Sequence, residues 1–369
     1  MTTTLIGVLQ PLIGKIIQVP QKKNSIHLTI GLFLLLSLIL TLLGSFLCEP
    51  ISKEIQLLKD YETATIIIGI FVMILGLNGI VACGMTRFAL NSAKFSTTMV
   101  YHIMYLNIGS ILGTFSSFLE GNKTASIIYT SVNIFLLIVG VISCALSPLV
   151  PGRASGPKNK PDKIAAIRWK YVITMYTFYG LCFGAIVPVQ YLSNVYFELA
   201  KTPQTTWEIG PSVYLLQQII SFFTSVILGL FFRSRIRVYN NLKSACSLGS
   251  ISALPLAVFW WSGVIDYWWA GAIAIICTGI CSGMIGIVPY IYIIRCLENY
   301  PKYFGVALGL HNVARVFIDF LFQIIIQILS IPDVLSDAMI TTYGLAVGTV
   351  FGILSLIVVD ALSLDFPVA

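Results

Sequence analysis

Ten apolar runs, each long enough to cross a lipid bilayer, constrain this chain more than any other feature. They occupy residues 27–47, 63–84, 97–119, 125–148, 171–196, 211–232, 244–263, 267–294, 303–330 and 340–360. The hydrocarbon layer is about 30 Å thick and a helix rises about 1.5 Å per residue, so about 20 apolar residues make one crossing. Backbone N–H and C=O groups find no water there, so each run must close its hydrogen bonds within itself, as a helix does. The expected fold is all-α: a polytopic membrane protein with ten complete spans, preceded by a partial one in the apolar residues 1–13.

Composition excludes several functional classes. The chain is 57% hydrophobic and 10% charged, unlike a soluble globular domain. No connection exceeds about 25 residues, which leaves no room for a catalytic domain outside the membrane. A membrane-embedded enzyme would need acids, histidines or metal ligands clustered at one depth. Only Arg315 and Asp319 are charged at membrane depth, so no enzyme is expected. No Gly-x-x-x-x-Gly-Lys-Ser/Thr phosphate loop occurs, which argues against ATP-driven chemistry, and no cofactor is expected.

Charge in the connections sets the orientation, because Lys and Arg collect on the cytoplasmic side. With residues 14–26 placed inside, alternation gives the inner side Lys15, Lys22, Lys23, Arg87, Lys94, Arg153, Lys158, Lys160, Lys163, Arg168, Lys170, Arg233, Arg235, Arg237, Lys243, Arg295 and Lys302. The outer side receives only Lys53, Lys59, Lys123 and Lys201, and the acids show the opposite bias. The net charge of +7 therefore reflects topology, and no nucleic-acid partner is implied. The sequon Asn122-Lys-Thr124 falls in an outer connection and is a candidate glycosylation acceptor, against chance occurrence of a common triplet.

The eight cysteines form no CxxC and no metal pattern with histidine, so no metal site is expected. Cys277 and Cys281 stand one helical turn apart and read as small packing residues. Gly279, Gly283 and Gly286 share one face of the same span, ahead of Pro289, and suit close helix approach.

The Gly/Pro-rich, charged stretch PLVPGRASGPKNKPDKIAAIRWK reads as a cytoplasmic connector between two bundles. The expected division is residues 1–148, connector 149–170, and a six-span bundle at 171–369. Membrane carriers are often built from repeated halves. On a twelve-span plan the first bundle would lack its opening helix and the outer part of its second, so the chain reads as N-terminally truncated.

Gly14-Lys15-Ile-Ile-Gln18-Val-Pro-Gln-Lys22-Lys23 resembles the cytoplasmic loop motif of the major facilitator superfamily: Gly, three residues, Asp, three residues, then two basic residues. Gly14, Lys22 and Lys23 match. Gln18 stands in the place of the Asp and can hydrogen-bond but not ion-pair. A shorter echo, Gly229-Leu-Phe-Phe-Arg233-Ser-Arg235, follows the sixth span. The strings Gly76-Leu-Asn78-Gly79, Gly109-Ser110-Ile-Leu-Gly113 and Gly305-Val-Ala-Leu-Gly309-Leu-His311-Asn312 are similar to the glycoside–pentoside–hexuronide and sucrose-transporter branch. That branch's acidic string has no counterpart in residues 171–196. The resemblance implies a secondary active transporter working by alternating access, with Gly14, Gln18, Lys22 and Lys23 at a cytoplasmic gate. Its partners would be a small polar organic solute, with sugars and protons as the finer expectation, and the lipid bilayer. The expected state is a monomer in the plasma membrane or an organelle membrane. The competing expectation is a non-transporting receptor or degenerate carrier.

His311, Arg315, Asp319, Gln323 and Gln327 recur every four residues in the ninth run. Each step of four rotates about 40°, so they form a slowly winding polar stripe on one helix side. Ionisable residues at this depth face a cavity or a partner. Two readings stand: Asp319 exchanges a coupling proton beside Arg315 and His311, or Arg315 and Asp319 neutralise each other and fix packing. Tyr179, Gln190, Asn194, Gln217, Gln218 and Asn312 are the candidate solute contacts, since aromatic faces and amides suit hydroxylated solutes. The plainer reading places the Tyr and Trp residues in interfacial belts.

Lys158→Cys, in the connector, should react with an impermeant maleimide only from the cytoplasmic side. Labelling from outside intact cells would reverse the assigned topology.

Overall fold

The computed structural model describes residues 10–18, 23–48, 61–91, 108–119, 123–146, 163–199, 209–231, 243–244, 247, 268–297, 303–330 and 337–363. The helices are α1 (Gln10–Gln18), α2 (Lys23–Cys48), α3 (Glu62–Asn91), α4 (108–115), α5 (Lys123–Leu146), α6 (Lys163–Leu199), α7 (Ile209–Phe231), α8 (Trp268–Cys296), α9 (Phe304–Ser330) and α10 (Asp337–Ser363). A 3₁₀ turn, Ser116–Leu119, follows α4.

Among the described residues six helices are long and apolar enough to cross a membrane, within α2, α3, α5, α6, α9 and α10. The apolar cores of α7 and α8, Ser212–Leu228 and Gly271–Ile285, are shorter. Eight of the ten expected spans thus coincide with helices, and the third is described from residue 108 onward. Most of the seventh, 244–263, lies outside the described residues. Large apolar side chains face outward along whole helices, for example Leu32, Leu36, Ile39 and Leu43 of α2 and Phe135, Leu136 and Val139 of α5. Water would not tolerate so continuous an apolar surface, whereas acyl chains do. The chain is an integral, multi-pass membrane protein.

One boundary differs from the sequence expectation. α6 begins at Lys163, so residues 163–170 of the expected connector are helical. The reason is local: after Pro161 the stretch Lys163-Ile-Ala-Ala-Ile-Arg-Trp-Lys contains neither Gly nor Pro and is rich in good helix formers.

The described residues group into two compact units. The first comprises those within Met1–Ala93, Thr130–Arg168 and Leu297–Val316; the second those within Lys94–Tyr129, Trp169–Cys296 and Phe317–Ala369. This grouping interleaves the chain, whereas the expected division cut it once at the connector.

In the first unit, α2 and α3 cross with almost no side chain between them. Ser37, Thr41 and Gly44 of α2 meet Gly79, Gly76 and Gly69 of α3. A Cβ at Gly76 would lie 2.6 Å from the Ser37 carbonyl oxygen, and one at Gly44 would lie 2.6 Å from the Gly69 carbonyl oxygen. Thr41 donates its hydroxyl to the Ser37 carbonyl at 2.8 Å, so this dry contact carries a satisfied polar group. Below it, Ile30, Leu34 and Leu38 of α2 pack with Cys83 of α3 and Val141 and Ala145 of α5.

Packing in this unit agrees with the alternation of inner and outer ends. Gly14 of α1 meets Gly305 at the start of α9, with Thr86 near the end of α3 beside them. Gly31 near the start of α2 faces the Ala145 carbonyl at the end of α5. All five helix ends belong to the side assigned to the cytoplasm. At the opposite end, the Cys48 thiol donates to the Ile66 carbonyl at 3.8 Å.

The second unit uses glycine in the same way. Gly184 of α6 receives Phe351 and Ile318, Gly344 of α10 receives Leu192 and Ile326, and Gly348 makes room for the Pro188 ring. Pro188 lies inside α6, where its ring removes one backbone bond. Gly279 and Gly283 bring α8 against α7. Tyr129 donates its hydroxyl to the Leu112 carbonyl, and its ring lies 6.3 Å from that of Phe115.

Gly76→Val should lower stability by about 1–3 kcal/mol, because the added atoms meet the Thr41 hydroxyl and, behind it, the backbone of Thr41 and Ser37. Thermal unfolding of the detergent-solubilised protein reads this, and an unchanged midpoint would refute the close crossing.

Candidate functional site

The second unit brings together three of the glutamines singled out in the sequence. α6 carries Gln190 in its outer half, two residues after Pro188. α7 carries Gln217 and Gln218, about a third of the way along. Gln190 Nε2 donates to Gln217 Oε1 at 3.3 Å, linking the two helices. Gln217 is 1% exposed, and Gln218 is also buried.

The Gln217 amide is incompletely satisfied. Its oxygen accepts from Gln190, but its Nε2 is buried without a hydrogen-bond partner. Turning both amides over reverses the bond and leaves the Gln217 Oε1 without a donor instead, and turning one alone breaks it. Such a group costs about 1–3 kcal/mol of desolvation. The backbone beneath it is closely held: a Cβ at Gly279 of α8 would stand 3.0 Å from the Gln217 carbonyl oxygen and 2.9 Å from the Ile220 side chain. A buried donor without an acceptor leaves one strong hydrogen bond to be made in this water-poor setting.

Tyr179 is buried about three turns below Gln190 on the same helix and stacks on Phe183 at 6.3 Å between ring centroids. Asn194 lies in α6, but its side chain is outside what is described. Asn312 is half-buried in α9, within the first unit.

The polar stripe of α9 is not uniform in its surroundings. His311 is fully buried, Arg315 is exposed, Asp319 and Gln323 are half-buried and Gln327 is exposed. The gate motif is described only in part. Gly14 is buried in α1 against Gly305, and Gln18 ends that helix. Lys22 and Asn122 lie outside the described residues, as do the side chains of Gln18 and Lys23.

Sequence reasoning missed the buried hydroxyls that continue from Gln217. Ser221 and Ser225 follow it at steps of four on α7, and Thr278 faces the interior from α8. Ser225 donates to the Ser221 carbonyl at 2.8 Å and Thr278 to the Ala274 carbonyl at 2.9 Å. The four-residue spacing was the signal available. Buried Arg87, at the inner end of α3, also escaped notice because it sits where an inner-side cation is expected. Among the described residues no three His, Cys, Asp or Glu side chains are placed to hold a metal ion.

No protein-family model and no curated protein matches the sequence. Solved structures do. The E. coli fucose:proton symporter FucP, in its outward conformation, aligns over 96% of this chain and 89% of its own, at 13% identity and a TM-score of 0.61. The human organic anion transporter MFSD10 aligns over 98% and 82%, at 12% identity and a TM-score of 0.62. The proton:xylose symporter XylE, bound to 6-bromo-6-deoxy-D-glucose, aligns over 96% and 94%, at 11% identity and a TM-score of 0.61. At these identities the likeness concerns architecture. The chain is an all-α, multi-pass membrane protein with the major facilitator fold.

Gln217→Met should lower thermal stability by no more than about 1 kcal/mol, because it removes an unsatisfied buried amide and keeps the side-chain volume but takes the acceptor from half-buried Gln190. A loss of more than about 2 kcal/mol would mean that the amide is held by the fold itself.

Proposed function

We propose that this protein is a secondary active transporter for a small polar organic solute. The reading is supported by a major facilitator fold that carries a buried, half-satisfied amide pair on two neighbouring membrane helices. A static scaffold gains nothing from an amide left short of a partner, whereas a binding site does. The finer reading is a sugar moved together with protons. FucP and XylE are proton symporters of fucose and of xylose, and amides suit a hydroxyl-rich solute.

In this reading Gln190, Gln217 and Gln218 contact the solute, with Tyr179, Asn194 and Asn312 completing its surroundings. Asp319 takes up and releases the coupling proton, with Arg315 and His311 on the same helix side modulating it. Gly14, Gln18, Lys22 and Lys23 form the cytoplasmic gate, and residues 1–148 and 171–369 are the two rocking bundles. Because Gln18 cannot ion-pair, closure of that gate rests on the contact between Gly14 and Gly305.

Uptake into proteoliposomes, screened across sugars, amino acids and nucleosides under an inward proton gradient, tests the proposal. One class of solute should accumulate in wild type. Asp319→Asn should reduce gradient-driven accumulation to the level of empty liposomes while sparing exchange of preloaded solute. Undiminished accumulation in that variant would remove Asp319 from coupling, and no uptake of any solute would overturn the transporter reading.

A further inference from the structure

One side-chain cluster in the first unit has no part in solute binding or proton coupling. Cys83 lies fully buried in the last third of α3, and Cys144 lies part-exposed in the last turn of α5. Both belong to the cluster built on Ile30, Leu34 and Leu38 of α2. Both thiols are free and lie within electrostatic range of each other. Arg87, one turn beyond Cys83 on the same face of α3, is buried as well and within electrostatic range of Cys144.

The position matters because of how α5 is held. Among its described side chains Val141 and Ala145 are the buried ones, four residues apart on one helix face, and Leu137, Ile138 and Cys144 are partly buried against the same cluster. Toward its other end α5 presents Ile127, Ile128, Val132, Phe135 and Leu136 outward. Cys144 therefore lies near the inner end of the stretch 137–145 through which α5 packs on this cluster. Cys144 is also two residues from the helix end at Leu146, about 3 Å of rise, on the side assigned to the cytoplasm.

We propose that Cys83 and Cys144 form a reversible thiol–disulfide pair that tethers the inner end of α5 to α3. Cys144, the more accessible thiol, attacks one sulfur of a small disulfide such as glutathione disulfide. The S–S bond of that oxidant breaks, one small thiol leaves and a mixed disulfide remains on Cys144. Cys83 then attacks the Cys144 sulfur and expels the second small thiol. The two protein thiols are oxidised by two electrons, the small disulfide is reduced to two thiols, and the two thiol protons pass to the leaving groups. Two facing thiols also suit a soft metal ion, but the positive charge of Arg87 disfavours a cation beside Cys144.

The pair is tested on the full chain in proteoliposomes, without any solute. The protein is treated with the membrane-permeant diazene diamide, which takes up the two electrons and two protons as its hydrazine. It is then alkylated and digested for mass spectrometry. The expected product is a Cys83–Cys144 linked peptide two hydrogens lighter than the sum of its parts. It should appear with loss of both alkylated peptides and vanish on reduction with dithiothreitol. Cys83→Ser and Cys144→Ser should each abolish it, and Cys277→Ser should not. If Cys83→Ser fails to fold, Cys144→Ser alone carries the control. Recovery of both cysteines alkylated after oxidation, or a linkage of Cys144 to any other cysteine, overturns the proposal.

Discussion

A peptide group in hydrocarbon has no solvent to bond to, and the architecture of this protein follows from that constraint. Each described apolar run closes its backbone hydrogen bonds internally, so those spans are helices whatever their tertiary neighbours are. Side-chain hydroxyls inside the membrane obey the same rule. Thr41, Thr86, Ser225, Thr278 and Thr349 each return a hydrogen bond to a carbonyl of their own helix. Against this background of satisfied hydroxyls the Gln217 amide nitrogen is one of a few buried side-chain atoms without a hydrogen-bond partner, which is why the proposed solute site is centred on it.

With no water to expel between helices, association in a membrane depends on close packing. Glycine supplies it at the crossings of α2 with α3, α1 with α9, and α7 with α8. At each of these a single Cβ would meet backbone, so the crossing distance is set by the absence of a side chain. The Gly14–Gly305 contact has a further consequence. It draws the start of α9 into the first unit, so a segment from the C-terminal third of the chain packs with its beginning. Compact units therefore do not follow chain order, even though the spans do.

The candidate site combines two kinds of order. Gln190 and Gln217 stand 27 residues apart, on successive helices, and meet in the second unit. α8 then holds the Gln217 backbone from behind through Gly279. The polar stripe of α9 is different, since helical spacing alone aligns it. Its members nonetheless sit in unlike environments, from a fully buried His311 to an exposed Arg315 one turn away. Shared spacing gives a shared side of the helix, and packing decides what that side meets.

Eight helices, the alternation of their ends and the membrane itself were legible in the amino-acid sequence, because hydropathy, length and loop charge act locally and need no partner. Helix ends were less so: α6 starts at Lys163 because nothing in Lys163–Lys170 breaks a helix, although its charge marks it as cytoplasmic. Tertiary structure alone decided which glycines touch backbone, that Gln190 bonds to Gln217 rather than to a neighbour on its own helix, and that Cys83 and Cys144 share one cluster. Those facts depend on distances between segments remote in the chain. Periodicity places a residue on a helix face, but only the packed neighbour determines what that face encounters.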